Sequence, residues 1–335
     1  MERIRLVHGN GGKFSRQLTE EHILKYFTND LLAELHDGAQ FPVTQGRMAF
    51  TTDSYVVQPT FFPGGNIGKL AVCGTVNDLT MNGAIPQYLS CGLILEEGFP
   101  MDQLDQILET MAAMAKKAGV QIVTGDTKVV KKGEVDKIYI NTSGIGMIPE
   151  GINIGPNRVK PNMDIIVSGS LGDHSIAVMG ERFGLELSDT IQTDCAPLNH
   201  MVHAVLQQVG SQVALLRDPT RGGLGTVLKE IAEQSQVGIK VNESQLVIHD
   251  EVQSVCDILG YDPLYLANEG KCILVVEPTV TNQVLEILHS YPEGREATHI
   301  GKTMDKNIGK VGLQTSIGGV RLVDLLGEDQ VPRIC

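Results

Sequence analysis

Three acidic stretches are the first places in this sequence where chemistry could be done. T-T-D ends at Asp53, N-D joins Asn77 to Asp78, and G-D-T-K runs from Gly125 through Asp126 to Lys128. Each carboxylate stands at the end of a strand-like run or in a segment of small residues, where it could reach a cleft. Two or three together would suit Mg²⁺ and phosphate oxygens, because Mg²⁺ takes hard oxygen ligands and keeps several waters. Singly, each Asp also reads as a turn or capping residue. A-N-E-G-K places Glu269 just before a strand, as a general base if it faces a cleft and as a turn residue if it does not. H-G-N-G-G-K, from His8 through Gly11 and Gly12 to Lys13, could fold its backbone over phosphates or form a plain turn, and Lys69 in G-N-I-G-K carries the same ambiguity. In R-D-P-T-R-G-G-L (217–224) a strand runs into Asp218, Pro219 and Thr220, then Arg221, then a Gly pair opening a helix. The N–H groups of that helix start could take an anion, with Asp218 or Thr220 as an ordinary cap the plain alternative. There is no G-x-x-x-x-G-K-[ST] loop and no H-x-x-x-H pair, which disfavours a Walker-type nucleotide site and a metalloprotease.

The chain ends V-P-R-I-C, with a thiol on Cys335. Chain ends are usually mobile and exposed, and an exposed thiol is a liability. It is either incidental or a handle that carries a group covalently from one active site to another. The prenylation pattern needs Cys four residues from the end, and the preceding G-E-D-Q-V-P is not basic, so a lipid anchor is disfavoured. The other five cysteines, 73, 91, 195, 256 and 272, sit in apolar stretches and read as small buried hydrophobes. No C-x-x-C or zinc-finger spacing occurs, which points to a reducing cytoplasm.

These residues need a scaffold. The 335 residues allow two domains, and 42% apolar content is ordinary for a globular chain. The net charge of −13 argues against a nucleic-acid backbone or an anionic membrane as partner. Aromatics are 4% and Trp is absent, so base-stacking platforms are not expected. The N-terminus lacks the apolar core of a signal peptide, and no apolar run nears the ~18 residues of a membrane span. An amphipathic helix is expected near 15–27, a strand ending near Asp53, a helix buried on most faces within 63–84, strands at 88–95 and 120–125, and a helical stripe from Leu104 to Ala118. The segment 149–162, with three Pro and two Gly, is the linker candidate. A second alternation follows: strands at 164–169, 213–217 and 271–277, and helices near 174–183, 197–209, 223–235, 250–259 and 281–289, an α/β layout in two halves. The expected divisions are an N-terminal extension with the Gly-rich loop (1–42), an N-terminal domain (43–150), a C-terminal α/β domain (160–305) and a final segment with the tail (306–335).

Taken in order, H-G-N-G-G-K, T-T-D-S-Y-V-V-Q-P-T-F-F-P-G-G-N-I-G-K-L-A-V-C-G-T-V-N-D, V-T-G-D-T-K-V-V, D-P-T-R-G-G, A-N-E-G-K and the terminal P-R-I-C resemble the HypE family. These are hydrogenase-maturation carbamoyl dehydratases of the PurM-like, aminoimidazole-ribonucleotide-synthetase superfamily. The likeness spans nearly the whole chain. The selenide-activating relatives carry a reactive Cys or selenocysteine in the Gly-rich loop; this loop has none. The resemblance implies a two-domain α/β (α+β) PurM-like fold, an N-terminal domain that closes a β-barrel with its twin in a homodimer, and a mobile C-terminal tail. It implies ATP near that interface and Mg²⁺ and phosphates on Asp53, Asp78 and Asp126. Asn77, Lys69 and the loop containing His8, Gly11, Gly12 and Lys13 would also bind the cofactor. Cys335 would receive a carbamoyl group from the carbamoyltransferase HypF, and ATP-dependent dehydration would turn it into a thiocyanate. Lys128 and Glu269 would take part in proton removal. The cyano group would pass to a HypC–HypD iron scaffold and become a ligand of the [NiFe]-hydrogenase iron. An ATP-dependent kinase or synthetase acting on a free small molecule, and a non-enzymatic carrier using the terminal thiol, are the competing readings.

Overall fold

In the computed structural model the described residues are 3–9, 13–29, 46–185, 187, 190–326, 330, 331 and 333–335. Two β-sheets organise them. The first half is a four-stranded sheet with order β1-β6-β4-β5, made of β1 (Arg47–Tyr55), β4 (Ile85–Glu96), β5 (Gln121–Val130) and β6 (Ile138–Ile148). β4 and β5 run parallel; the other pairs are antiparallel. A small hairpin, β2 (Phe61–Phe62) with β3 (Gly65–Asn66), leads into the first long helix. Ahead of β1, a single 3₁₀ turn (Leu6–Gly9) packs on β5, and α1 (Lys13–Leu18), a π turn (Thr19–Ile23) and α2 (Leu24–Tyr26) follow.

Two helices cover one face of this sheet, α3 (Ile67–Met81) and α4 (Met101–Ala118). Asn66 caps α3 by accepting from the N–H groups of Gly68 and Lys69. α3 is buried on nearly every side because it is wedged between the sheet, α4 and the second half, and its run of small residues permits that close packing. α4 shows ordinary amphipathic spacing, burying Leu104, Leu108, Met111 and Ala115, and ends on Gly119 in the left-handed region (φ 73°). The outer face of the sheet is left open in one chain, with Met48 50% and Phe50 71% exposed.

The second half is a seven-stranded sheet, order β13-β12-β9-β11-β7-β10-β8, built from β7 (Asp164–Val167), β8 (Val213–Arg217), β9 (Gly238–Asn242), β10 (Ile273–Val276), β11 (Thr298–Met304), β12 (Val311–Gln314) and β13 (Val320–Val323). Its helices are α5 (Asp173–Phe183), α6 (Asn199–Val209), α7 (Gly223–Gln234), α8 (Asp250–Leu259) and α9 (Thr281–His289). The central strands β7 and β10 read as unbroken apolar runs because helices cover both faces. Strands β9 and β11, which the sequence reading passed over, complete the sheet. The two halves meet along α3, α5 and the loop 190–198, and the C-terminal tail lies in that seam.

Candidate active site

A cavity of 180 Å³ opens where the halves meet, and Asp53, Asp78, Asp218, Arg221, Glu269 and Cys335 line it. Strand alternation sets the first of these. Asp53 shares the helix-facing side of β1 with Thr51 and Tyr55, and Thr51 donates to Asp78 Oδ2 at 2.9 Å. Asp78 lies one turn beyond Gly74 on α3, and a Cβ on Gly74 would stand 2.2 Å from the Tyr55 hydroxyl. Only glycine lets β1 and α3 approach closely enough to bring the two aspartates together.

Burial first, and neighbouring carboxylates second, push the titration of Asp78, Asp218 and Glu269 upward. Burial raises the pKa of Asp78, and the charge of Asp53 adds to it; Thr51 and the two arginines 217 and 221 oppose. Burial, then Asp78, raises Asp218 to about 7. Glu269 is 4% exposed, and burial followed by the charges of Asp194 and Asp218 holds its pKa well above the usual carboxylate value. Its Oε1 has no hydrogen-bond partner among the described residues. A protonatable, unsatisfied carboxyl beside a substrate pocket is the arrangement a proton-transfer group needs.

Asn77 lies inside the junction of the two halves. It is 2% exposed; its Nδ2 donates to the carbonyls of Ala196 (3.0 Å) and Glu269 (3.3 Å), and its Oδ1 accepts from Leu198 N–H (2.9 Å). Its amide is engaged with the second half and ties α3 to the backbone of Glu269. Asp194 holds the same segment from the other side, accepting from Glu269 N–H at 3.0 Å.

The tail runs antiparallel beside the segment that follows β1 and is held there by two backbone hydrogen bonds. Val56 N–H donates to the Cys335 carbonyl and Gln58 N–H to that of Arg333, both at 3.3 Å. Arg182 of α5 also donates to the Arg333 carbonyl (2.7 Å), while the Arg333 guanidinium pairs with Asp136 (3.0 Å). Ile334 is buried to 4% exposure within the apolar cluster of the first half, alongside Val178 and Met179. The half-buried Cys335 is thereby set among the carboxylates.

Other expected site residues lie elsewhere in the chain. Asp126 and Lys128 are exposed on β5, opposite Gly92 and Ile94, on the outer face of the sheet. Asp53 is on the inner face at the other edge, so Asp53, Asp78 and Asp126 do not converge within one chain. Among the described residues no group of three or more His, Cys, Asp or Glu is arranged to hold a metal ion. His8 is buried against β5, its ring edge-on to Phe14 (6.0 Å). Lys69 donates to the Gly64 carbonyl (2.8 Å) at the start of α3. Gly11 and Gly12 lie outside the described residues, as does the Lys13 side chain. The sequence reading missed Asp218 as a site residue, since D-P-T before a helix is also an ordinary cap signal. It missed His174 altogether.

The family model of AIR synthase related protein, N-terminal domain, matches residues 35–148, and that of the C-terminal domain matches 160–314. The chain is 47% identical over 333 residues to carbamoyl dehydratase HypE of Rhizobium leguminosarum bv. viciae, covering 99% of this chain and 95% of that protein. A crystal structure of hydrogenase maturation protein HypE in complex with ATP superposes with a TM-score of 0.95 at 45% identity, covering 99% of each chain. A chain from a crystal structure of a HypE–HypF complex superposes with a TM-score of 0.81 at 46% identity, covering 92% of this chain and 99% of that one. The likeness runs over both halves and nearly the full length, and the chain therefore belongs to the HypE family of carbamoyl dehydratases, among the AIR synthase related proteins.

Proposed function

We propose that this chain uses ATP to dehydrate a carbamoyl group carried on the Cys335 sulfur. The observation that carries the reading is the place of Cys335 in one cavity with Asp53, Asp78, Asp218, Arg221 and Glu269. The carbamoyl oxygen attacks the γ-phosphorus of ATP and ADP leaves. The oxygen, now phosphorylated, departs as phosphate while the nitrogen gives up its protons, leaving Cys335–S–C≡N. Glu269, and Lys128 on the outer face, are the bases assigned to those protons. Tethering through sulfur makes the encounter intramolecular. HypF is the proposed carbamoyl donor enzyme, and the cyano group is destined, through a HypC–HypD scaffold, for the iron of a [NiFe]-hydrogenase.

Mg²⁺ fits the carboxylates present. The charge of Asp53 adds to the cost of ionising the buried Asp78, which a divalent cation would relieve, and Mg²⁺ would neutralise charge on the transferring phosphate. A second copy seated on the exposed face bearing Met48 and Phe50 would complete the site as a homodimer, supplying Asp126 and Lys128 from its own β5 together with its His8–Lys13 loop. The five buried cysteines form no disulfide, which suits a reducing cytoplasm, and no helix among the described residues is long and apolar enough to cross a membrane.

The test is intact-mass analysis of the C-terminal peptide after incubation with carbamoyl donor, the transferase and ATP. The expected product is lighter by one water than the carbamoylated peptide. Cys335→Ala should keep the fold and ATP binding and give no such product. Normal turnover of a free small substrate by this variant would overturn the reading.

A further inference from the structure

Between the tail and the core of the second half lies His174, fully buried near the start of α5, with the Phe62 ring edge-on at 5.6 Å. Its Nδ1 is 2.7 Å from Thr193 Oγ1 and its Nε2 is 3.0 Å from the carbonyl oxygen of Ile334. A carbonyl oxygen only accepts, so Nε2 must carry the hydrogen. Burial lowers the pKa of the imidazole and keeps it neutral, so Nδ1 presents a lone pair and the Thr193 hydroxyl donates to it. The same hydroxyl oxygen accepts from Cys195 N–H at 3.1 Å. A single directional chain results: Cys195 N–H to Thr193 O–H to His174, and His174 to the tail. The carbonyl it ends on belongs to the residue before the thiol. The Arg182 and Arg333 contacts lie farther out, with exposed partners. The His174 bond is made where no water can replace it.

We propose that His174 is the positioning residue that sets how deep Cys335 sits among the carboxylates, with Thr193 fixing the imidazole tautomer that this requires. The kinetic part of its test rests on the dehydratase reading; the labelling part does not.

The experiment measures alkylation of Cys335 by iodoacetamide in the full-length protein, followed by intact mass and peptide mapping. The other five cysteines are buried and report on unfolding. His174→Leu removes the donor and should label Cys335 about tenfold faster, the change expected for one hydrogen bond lost. His174→Gln retains a side-chain N–H donor and should label close to the wild-type rate. Thr193→Val does not touch the tail, yet it should accelerate labelling by unlocking the tautomer. Equal rates for His174→Leu and His174→Gln would overturn the proposal. Should His174→Leu also expose the buried cysteines, Thr193→Val decides, and wild-type labelling there overturns it. With a carbamoylated tail, His174→Leu should lower kcat and leave KM for ATP unchanged. Failure of wild-type protein to form any nitrile would sink the dehydratase reading while leaving the labelling contrast to judge His174.

Discussion

Asn77 on α3 donates to the backbone carbonyl of Glu269, 192 positions later in the chain, at 3.3 Å. The same amide satisfies Ala196 and Leu198, so one buried side chain ties the helix that carries Asp78 to the segment that carries the proposed base. Asn77→Ala strands these buried partners and should cost about 2 kcal/mol of stability. Calorimetry should show a lower Tm, and nitrile formation should fall further than ATP binding, because the base is displaced while Asp53 and Asp78 stay in place.

The carboxylate cluster makes stability depend on pH in a definite direction. Asp218 titrates at about 7 in the folded chain, and Asp78 and Glu269 are also raised. An acid with a raised folded pKa is most favourable to folding below its unfolded pKa, near 4, and loses that contribution as pH rises through the folded value. The Mg²⁺-free protein should therefore lose stability between about pH 4 and 7. Added Mg²⁺ should raise Tm more at pH 8 than at pH 5, since it binds the ionised carboxylates. Asp218→Asn should flatten the metal-free profile, measured by thermal unfolding across pH.

Gly74→Ala should act on the proposed Mg²⁺ site through Tyr55. The new methyl would overlap the Tyr55 hydroxyl, so β1 must move and Asp53 with it. A loss of about 2 kcal/mol is expected from overpacking. Mg-ATP affinity by titration calorimetry should weaken alongside it.

Complementation tests the proposed completion of the site by a second copy. Asp78→Asn and Asp126→Asn homodimers should each be nearly inactive. In a heterodimer of the two, one site carries both changes and the other none, so random mixing should recover about a quarter of wild-type activity. No recovery on mixing would mean that each site takes both aspartates from a single chain.

Ile334→Ala tests the apolar anchor of the tail. Removing this buried side chain should cost the docked state about 2 kcal/mol or more. Cys335 alkylation should accelerate accordingly, with the five buried cysteines still protected.

Much of this architecture was legible in the sequence. The alternation T-T-D-S-Y and the small-residue helix ending in N-D located β1 and α3, because local periodicity reports strand and helix directly. Glu269 and Cys335 were legible as chemistry without a partner. Asp126 was harder: whether a strand residue faces inward depends on register, and a bulge after Leu89 shifts the β4–β5 pairing. Asn77 and His174 were illegible in their roles, since their partners lie 121 and 160 positions away and leave no local signature.

The tail's pairing with Val56 and Gln58 has a kinetic consequence. The reacting sulfur belongs to the same polypeptide as its pocket, so its arrival is a first-order event. Wherever the proposed dimer is assembled, the half-time of a single turnover should be independent of how much protein is present, and only the nucleotide should show saturation. A copy whose sulfur is already charged is also closed to every other copy's cargo until that tail leaves the pocket.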